Sequence, residues 1–314
     1  MTEPPSTEPL DDRSRWVDLD GPVHHLDFGG PADAPLVVAV HGLGGSAVNW
    51  SAVAPLLTSR YRLLAPDLAG HGLTRAHGRD TRVAANRLLL HRYLAAVADR
   101  PVILMGNSMG GMISLLQASA EPASVAGLIL VDPALPFVPV RPDPLVTALF
   151  AGYATPGLSL VLMNRRRRQT PAQRVATTLT LCCVDPARIP AAVLAEHVEV
   201  ARRRAGYGDV DGEFLAAARS VVGTAGFLGG RPYRRGIRAL TVPVLLLHGD
   251  RDRLVPVAAA RVAARANPAW TFVELPDAGH VPQLELPRET ADAVLGWLDA
   301  AGQPAVRAAS PARG

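Results

Sequence analysis

Apolar and polar positions alternate along the chain in blocks. Short, mainly apolar runs at Leu36–Val40, Tyr61–Ala65, Val102–Met105, Leu128–Val131, Val242–Leu247 and Thr271–Leu275 end at His-Gly, Gly, Pro or Asp. Such runs predict strands buried on both faces, as in a parallel sheet. Between them, spacings of three and four predict helices over Ala47–Leu57, Thr81–Ala98, Met109–Ala120, Pro256–Ala266 and Pro287–Ala300. Trp16–Leu19 and Val23–Phe28 flank Gly21-Pro22 and predict an opening hairpin. From Pro133 to Arg238 only helical patterns and loops occur. The pattern therefore predicts an α/β fold, a mostly parallel sheet flanked by helices, with a core over 15–132 and 239–301 and an all-helical insertion over 133–238. Residues 1–14 and 302–314, rich in Pro and small residues, read as a disordered leader and tail.

Composition narrows the chemistry. All 32 basic residues are arginine. Without lysine there is no pyridoxal Schiff base, no phosphate-loop lysine and no serine–lysine dyad. Aromatic residues make up 5% of the chain, which argues against a surface that stacks nucleic-acid bases. The only cysteines, Cys182 and Cys183, are adjacent, a poor spacing for a disulfide or a metal site. Met1–Arg13 is acidic and lacks the basic start and apolar core of a signal peptide, so a cytoplasmic location is expected. Leu145–Met163 is uncharged and precedes Arg165–Arg168, as a membrane span would, but Thr155-Pro156-Gly157 interrupts it and predicts two short helices.

Three segments carry candidate chemistry. Val102–Gly111 runs strand, then Gly106-Asn107-Ser108-Met109-Gly110, then helix. A Gly-x-Ser-x-Gly in that context exposes a strained serine at a sheet edge, the glycines letting strand and helix approach. The alternative is a Gly-rich turn with a capping serine. A nucleophilic serine needs a base and an orienting acid. Leu245–Asp252 ends a strand with two aspartates, and Leu275–His280 ends one with a loop histidine.

With these motifs the chain resembles the α/β-hydrolase superfamily from about Trp16 to Ala300. Its loops are similar at His41-Gly42-Leu43-Gly44-Gly45-Ser46, Pro66-Asp67-Leu68-Ala69-Gly70-His71-Gly72, Gly249-Asp250-Arg251-Asp252 and Gly279-His280-Val281-Pro282-Gln283-Leu284-Glu285. The resemblance implies Ser108 as nucleophile, His280 as base and Asp252, not Asp250, as acid. It implies oxyanion donors at the backbone N–H of Leu43 and Met109, a lid over 133–238, a small acyl substrate, and no cofactor or metal. Asp132, after the strand Leu128–Val131, is an alternative acid. His41 and His71 are expected to brace the site and His248 to be structural.

A serine esterase, lipid-like or acting on thioesters, is the leading reading. A C–C bond hydrolase of ring-cleavage products shares the elbow, but that group's Gly-Pro-Gly loop and aromatic residue after the histidine are here Gly44-Gly45-Ser46 and Val281. A ligand-binding protein on the same fold is the non-enzymatic alternative. Leu145, Leu149, Phe150, Leu158, Leu160 and Leu162 are candidates to line an acyl pocket. Residues 140–238 hold 15 arginines against 7 acids, a net +8, while the remainder, with 17 against 21, is −4. That imbalance raises the expectation that the lid meets an anionic lipid, an acyl carrier or a carboxylate-bearing substrate. Oligomeric state is not legible.

Overall fold

The computed structural model describes residues 7–136, 138, 143–226 and 230–300. Eight strands form one sheet: β1 (Ser14–Asp18), β2 (Pro22–Asp27), β3 (Leu36–Val40), β4 (Arg62–Pro66), β5 (Val102–Asn107), β6 (Val125–Val131), β7 (Val244–Gly249) and β8 (Thr271–Leu275). Their order is β1-β2-β4-β3-β5-β6-β7-β8. The first two are antiparallel and the remaining six parallel. The helices are α1 (Ala54–Leu57), α2 (Val83–Val97), α3 (Met109–Ala120), α4 (Pro144–Ala154), α5 (Leu158–Arg167), α6 (Pro171–Cys182), α7 (Ala191–Arg204), α8 (Val210–Ala225), α9 (Gly230–Arg238), α10 (Val257–Ala266), α11 (Pro282–Glu285) and α12 (Pro287–Ala300).

The sheet buries both faces. Val38, Val40, Leu104, Leu128 and Leu246 point toward α2, α3 and α10, while Val37, Ala39, Ile103, Ile129 and Leu245 point toward α1 and α12. Period-two alternation inside an apolar run thus feeds two cores, which is why these strands read as unbroken hydrophobic stretches.

Two expectations need correction. The helix expected over Ala47–Leu57 is a 3₁₀ turn at Ala47–Trp50 followed by the short α1. Pro55 cannot continue a preceding helix, but it suits the first turn of a new one. Part of the leader expected over 1–14 is built into the fold. Leu10 packs on the second core, Arg13 pairs with Glu196 at 2.9 Å, and Ser14 begins β1. Residues 1–6, and the tail expected over 302–314, lie outside the described residues.

Between β6 and β7 the described residues hold six α-helices and no strand. Tyr233 and Ile237 of α9 and Ala217 of α8 belong to the first core, and the Tyr233 hydroxyl donates to the carbonyl of Ala134 at 3.0 Å. The stretch Leu145–Met163 forms α4 and α5, bent by 105° at Thr155-Pro156-Gly157, and no single helix is long and apolar enough to cross a membrane.

Candidate active site

The C-terminal edge of the parallel strands gathers the candidate residues. Ser108 sits between β5 and α3 at φ 53°, ψ −118°, a left-handed-side conformation that costs a non-glycine residue energy. The turn is held by the Ser108 N–H donating to the Val131 carbonyl (3.1 Å) and by the Ser108 carbonyl accepting from Met112 and Ala134. It is also held by close packing. A Cβ at Gly106 would lie 2.6 Å from the Gly110 carbonyl oxygen, and one at Gly110 would fall on that of Val40. From Val102 to Leu115 every residue is buried except Ser108, which keeps partial exposure. Met109 opens α3, so its N–H is among the donors that a helix start leaves without an intrahelical partner. The first loop lies against the serine, since a Cβ at Gly42 would be 2.9 Å from Ser108 Cβ, and it carries Leu43 alongside.

His280 and Asp252 come from the loops after β8 and β7. His280 Nδ1 and Asp252 Oδ2 are 2.7 Å apart, both side chains buried. Asp252 Oδ1 accepts from the N–H groups of Leu254 and Val255, so both carboxylate oxygens are engaged. Burial disfavours the imidazolium, but the charge of Asp252, its hydrogen bond to the ring and the charge of Asp132 together outweigh it, and the His280 pKa lies above its ordinary value. Burial would likewise raise Asp252, but the charge of His280 and the bonds from His248 and His280 outweigh it and hold that carboxyl low. The Asn107 amide donates to the carbonyls of Val131 (3.0 Å) and His280 (2.9 Å), so the residue before Ser108 fixes the His280 loop against the elbow. Among the described residues no hydrogen bond joins Ser108 Oγ to His280, and the hydroxyl reaches other directions by turning about one torsion.

Asp132, the alternative acid, faces elsewhere. Its Oδ1 accepts from the Gly249 N–H at 2.9 Å, and Oδ2 has no partner. Burial pushes its carboxyl up to about 7, against the pull of His248. His248 lies between the two aspartates, with Nε2 at 2.8 Å from the Val255 carbonyl, 3.4 Å from Asp252 and 3.6 Å from Asp132. Burial works against its cation, yet the charges of Asp132 and Asp252 and the hydrogen bonds to Asp252 and Val255 together outweigh burial, and its pKa rises to about 9. Asp132, His248 and Asp252 offer ligand atoms within 4.8 Å of one another, but those atoms already bond Gly249, Val255 and His280. They form a charge network behind the His280 pair. Asp250, the other turn aspartate, is exposed.

His41 and His71 brace the loops, as expected. His41 Nδ1 bonds the Gly42 carbonyl and Nε2 accepts from the Leu68 N–H, while His71 Nδ1 bonds the Ala69 carbonyl. Burial lowers both, His71 to about 3, so both are neutral near pH 7.

The helices between β6 and β7 close over this edge. Arg204 donates to the carbonyls of Gly70 (2.7 Å) and Gly72 (2.8 Å), and a Cβ at Gly44 would be 3.2 Å from the Phe214 ring. The space between Gly44, Gly45 and Phe214 is about 30 Å³, room for about one water. A larger hollow of about 330 Å³ between Arg82, Leu215 and Arg219 includes none of Ser108, Asp252 and His280 in its lining. The His280 N–H donates to the Cys182 carbonyl at 2.6 Å. The buried Glu285 accepts from the N–H groups of Asp185 (2.7 Å) and Gly279 (3.0 Å), and Arg188 binds the Asp277 carbonyl and carboxylate. A Cβ at Gly279 would collide with the Cys182 oxygen. Asn107, His248, Glu285 and the Cys182 carbonyl were not expected from the sequence. Asn107, His248 and Glu285 each lie inside a motif, but nothing in those motifs showed the contact each makes.

Residues 37–293 match the family described as "Alpha/beta hydrolase family". The chain is similar to the pimeloyl-[acyl-carrier protein] methyl ester esterase of Aromatoleum aromaticum, with 30% identity over 82% of this chain and 95% of that one. It is also similar to the pyrethroid hydrolase of Sphingobium wenxiniae, with 28% identity over 84% and 88%. Among solved structures, a membrane phospholipase A described as a bacterial virulence factor superposes with TM-score 0.72 and 26% identity, over 91% of this chain and 86% of that one.

Proposed function

Because the chain belongs to the alpha/beta hydrolase family, we propose that it hydrolyses a carboxylic ester through Ser108, His280 and Asp252 by way of an acyl-enzyme. The observation that carries this reading is the pairing of a strained, partly exposed Ser108 with a buried His280–Asp252 couple at one sheet edge. Ser108 Oγ attacks the ester carbonyl while His280 Nε2 takes its proton. Asp252 keeps the other ring nitrogen protonated and stabilises the imidazolium that forms. The N–H groups of Met109 and Leu43 receive the oxyanion. Each such donor is worth about 10²–10³ in rate. His280 then gives its proton to the departing alkoxide, and the ester C–O bond breaks. A water, deprotonated by the same imidazole, attacks the acyl-enzyme, and the carboxylic acid leaves Ser108 restored. The ester relatives, and the absence of a Gly-Pro-Gly first loop, favour this chemistry over C–C bond hydrolysis.

Short-chain p-nitrophenyl esters and a fluorophosphonate probe test it. The wild-type chain is expected to turn over the ester and take up the label, and Ser108→Ala to lose labelling and at least about 10³ in kcat/KM. Ester turnover that survives Ser108→Ala, or a wild type inert to both reagents, overturns the assignment.

A further inference from the structure

Seven large hydrophobic side chains stand exposed among the described residues, and four of them belong to one bent hairpin: Leu145 on α4, with Leu158, Leu160 and Val161 on α5 (58%, 48%, 65% and 62% exposed). A cluster of this kind is a mark of an interaction surface, whereas single exposed leucines are ordinary. Leu145, Leu158 and Leu160, candidates by hydropathy to line an acyl pocket, stand exposed at the surface. The charge pattern is equally uneven. Residues 144–168 contain four arginines and no acid. Arg166 turns inward onto the Phe214 ring and Arg167 pairs with Asp211. Arg165 and Arg168 are exposed and have no acidic partner among the described residues. Leu158, Val161, Arg165 and Arg168 are spaced by three, four and three, so they share one face of the helix. That face is apolar at its N-terminal half and cationic at its C-terminal half.

We propose that the α4–α5 hairpin docks on an anionic phospholipid surface, with Leu145, Leu158, Leu160 and Val161 entering the acyl boundary and Arg165 and Arg168 meeting headgroup phosphates. The dimensions fit a shallow seat. Helices of 11 and 10 residues are each about 15 Å long, half of a hydrocarbon core of about 30 Å. With their 105° bend, they lie in the interface and do not cross it. A second copy of the chain is a poorer occupant, since two such faces would bring their arginines together. An acidic protein would satisfy the arginines but leave four aliphatic side chains with less apolar surface to enter. The inference is independent of the hydrolytic reading, because the hairpin supplies none of Ser108, Asp252 and His280.

Vesicle flotation of the full chain, carrying Ser108→Ala so that no lipid is cleaved, tests it. Vesicles of phosphatidylcholine alone are compared with vesicles containing a minority of phosphatidylglycerol. Wild-type surface residues are expected to give binding that requires the anionic lipid and weakens with salt. Arg165→Gln and Arg168→Gln should each weaken it about fivefold. Leu158→Ser/Leu160→Ser/Val161→Ser should weaken it at least about tenfold. A Leu160→Trp variant gives a readout free of any folding defect, through a blue shift of its added fluorescence on the same vesicles. No binding, binding equal on both lipids, binding undiminished by the serine variant, or no blue shift overturns the proposal. So does a dimer that the serine variant dissociates, or binding confined to an acidic carrier protein.

Discussion

At the scale of single residues, the site is a set of imposed compromises. Ser108 takes a backbone conformation it would not choose, and tight contacts at Gly106 and Gly110 hold it there. His280 and Asp252 are both buried, and each makes the other's charge tolerable. The sign of the pH dependence follows. A base works when neutral, so kcat/KM rises as pH passes the His280 pKa, which the Asp252 charge holds above its usual place. Asp252→Asn removes that charge. The acid limb of the profile is expected to move to lower pH while the plateau falls by about 10⁴. An acid limb that stays in place would show that some other group sets the protonation of His280. The candidate residues Ser108, Asp252 and His280 were legible because each stands in a turn with its own local signature of glycines and strand ends. His248 and Asp132 were not legible as partners, since their proximity depends on the β6–β7 pairing of segments more than a hundred residues apart.

At the scale of elements, the strands of the sheet were readable from apolar runs. The hairpin of α4 and α5 shows where such reading stops. Leu158–Met163 is apolar at nearly every position, so its periodicity has no phase and does not say which side faces in. The contacts between the insertion and the His280 loop were hidden for a different reason. The Cys182 carbonyl and the Gly279 and Asp185 N–H groups are backbone atoms, which carry no signature of residue type. Glu285 joins two of them from a fully buried carboxylate. Glu285→Ala leaves two N–H groups without an acceptor and is expected to cost about 2–4 kcal/mol of stability, measured by urea denaturation. A loss below about 0.5 kcal/mol would mean that water reaches and satisfies both groups.

At the scale of the whole molecule, buried histidines tie stability to pH. Burial lowers His25 to about 4, His71 to about 3 and His197 to about 4. In each case the unfolded chain takes up its proton first as pH falls. Their contribution is therefore complete above pH 6.5 and is lost as pH falls to about 4 for His25 and His197 and to about 3 for His71, with an upper bound of about 1.4 kcal/mol per pH unit for each. Asp67 is also held low, its burial outweighed by the His24 hydrogen bond, and its contribution is lost at still lower pH. Unfolding free energy should thus decline steadily from pH 6.5 to 4, and His25→Gln should flatten the decline. An unchanged slope in that variant would remove His25 from the account.

The hydrogen bond from His280 N–H to the Cys182 carbonyl also bears on how this chain can be recombined with others. A chimera made by exchanging residues 133–238 whole would replace the residue whose carbonyl holds the proposed base, His280. The exchangeable module is shorter. Splice points placed just before α4 and just before α6 would swap the α4–α5 hairpin alone, and leave Asp132, Ala134, Cys182, Asp185 and Arg188 native. Grafts of that smaller cassette should alter what the enzyme meets at its surface while leaving the acid limb of its rate profile where it was.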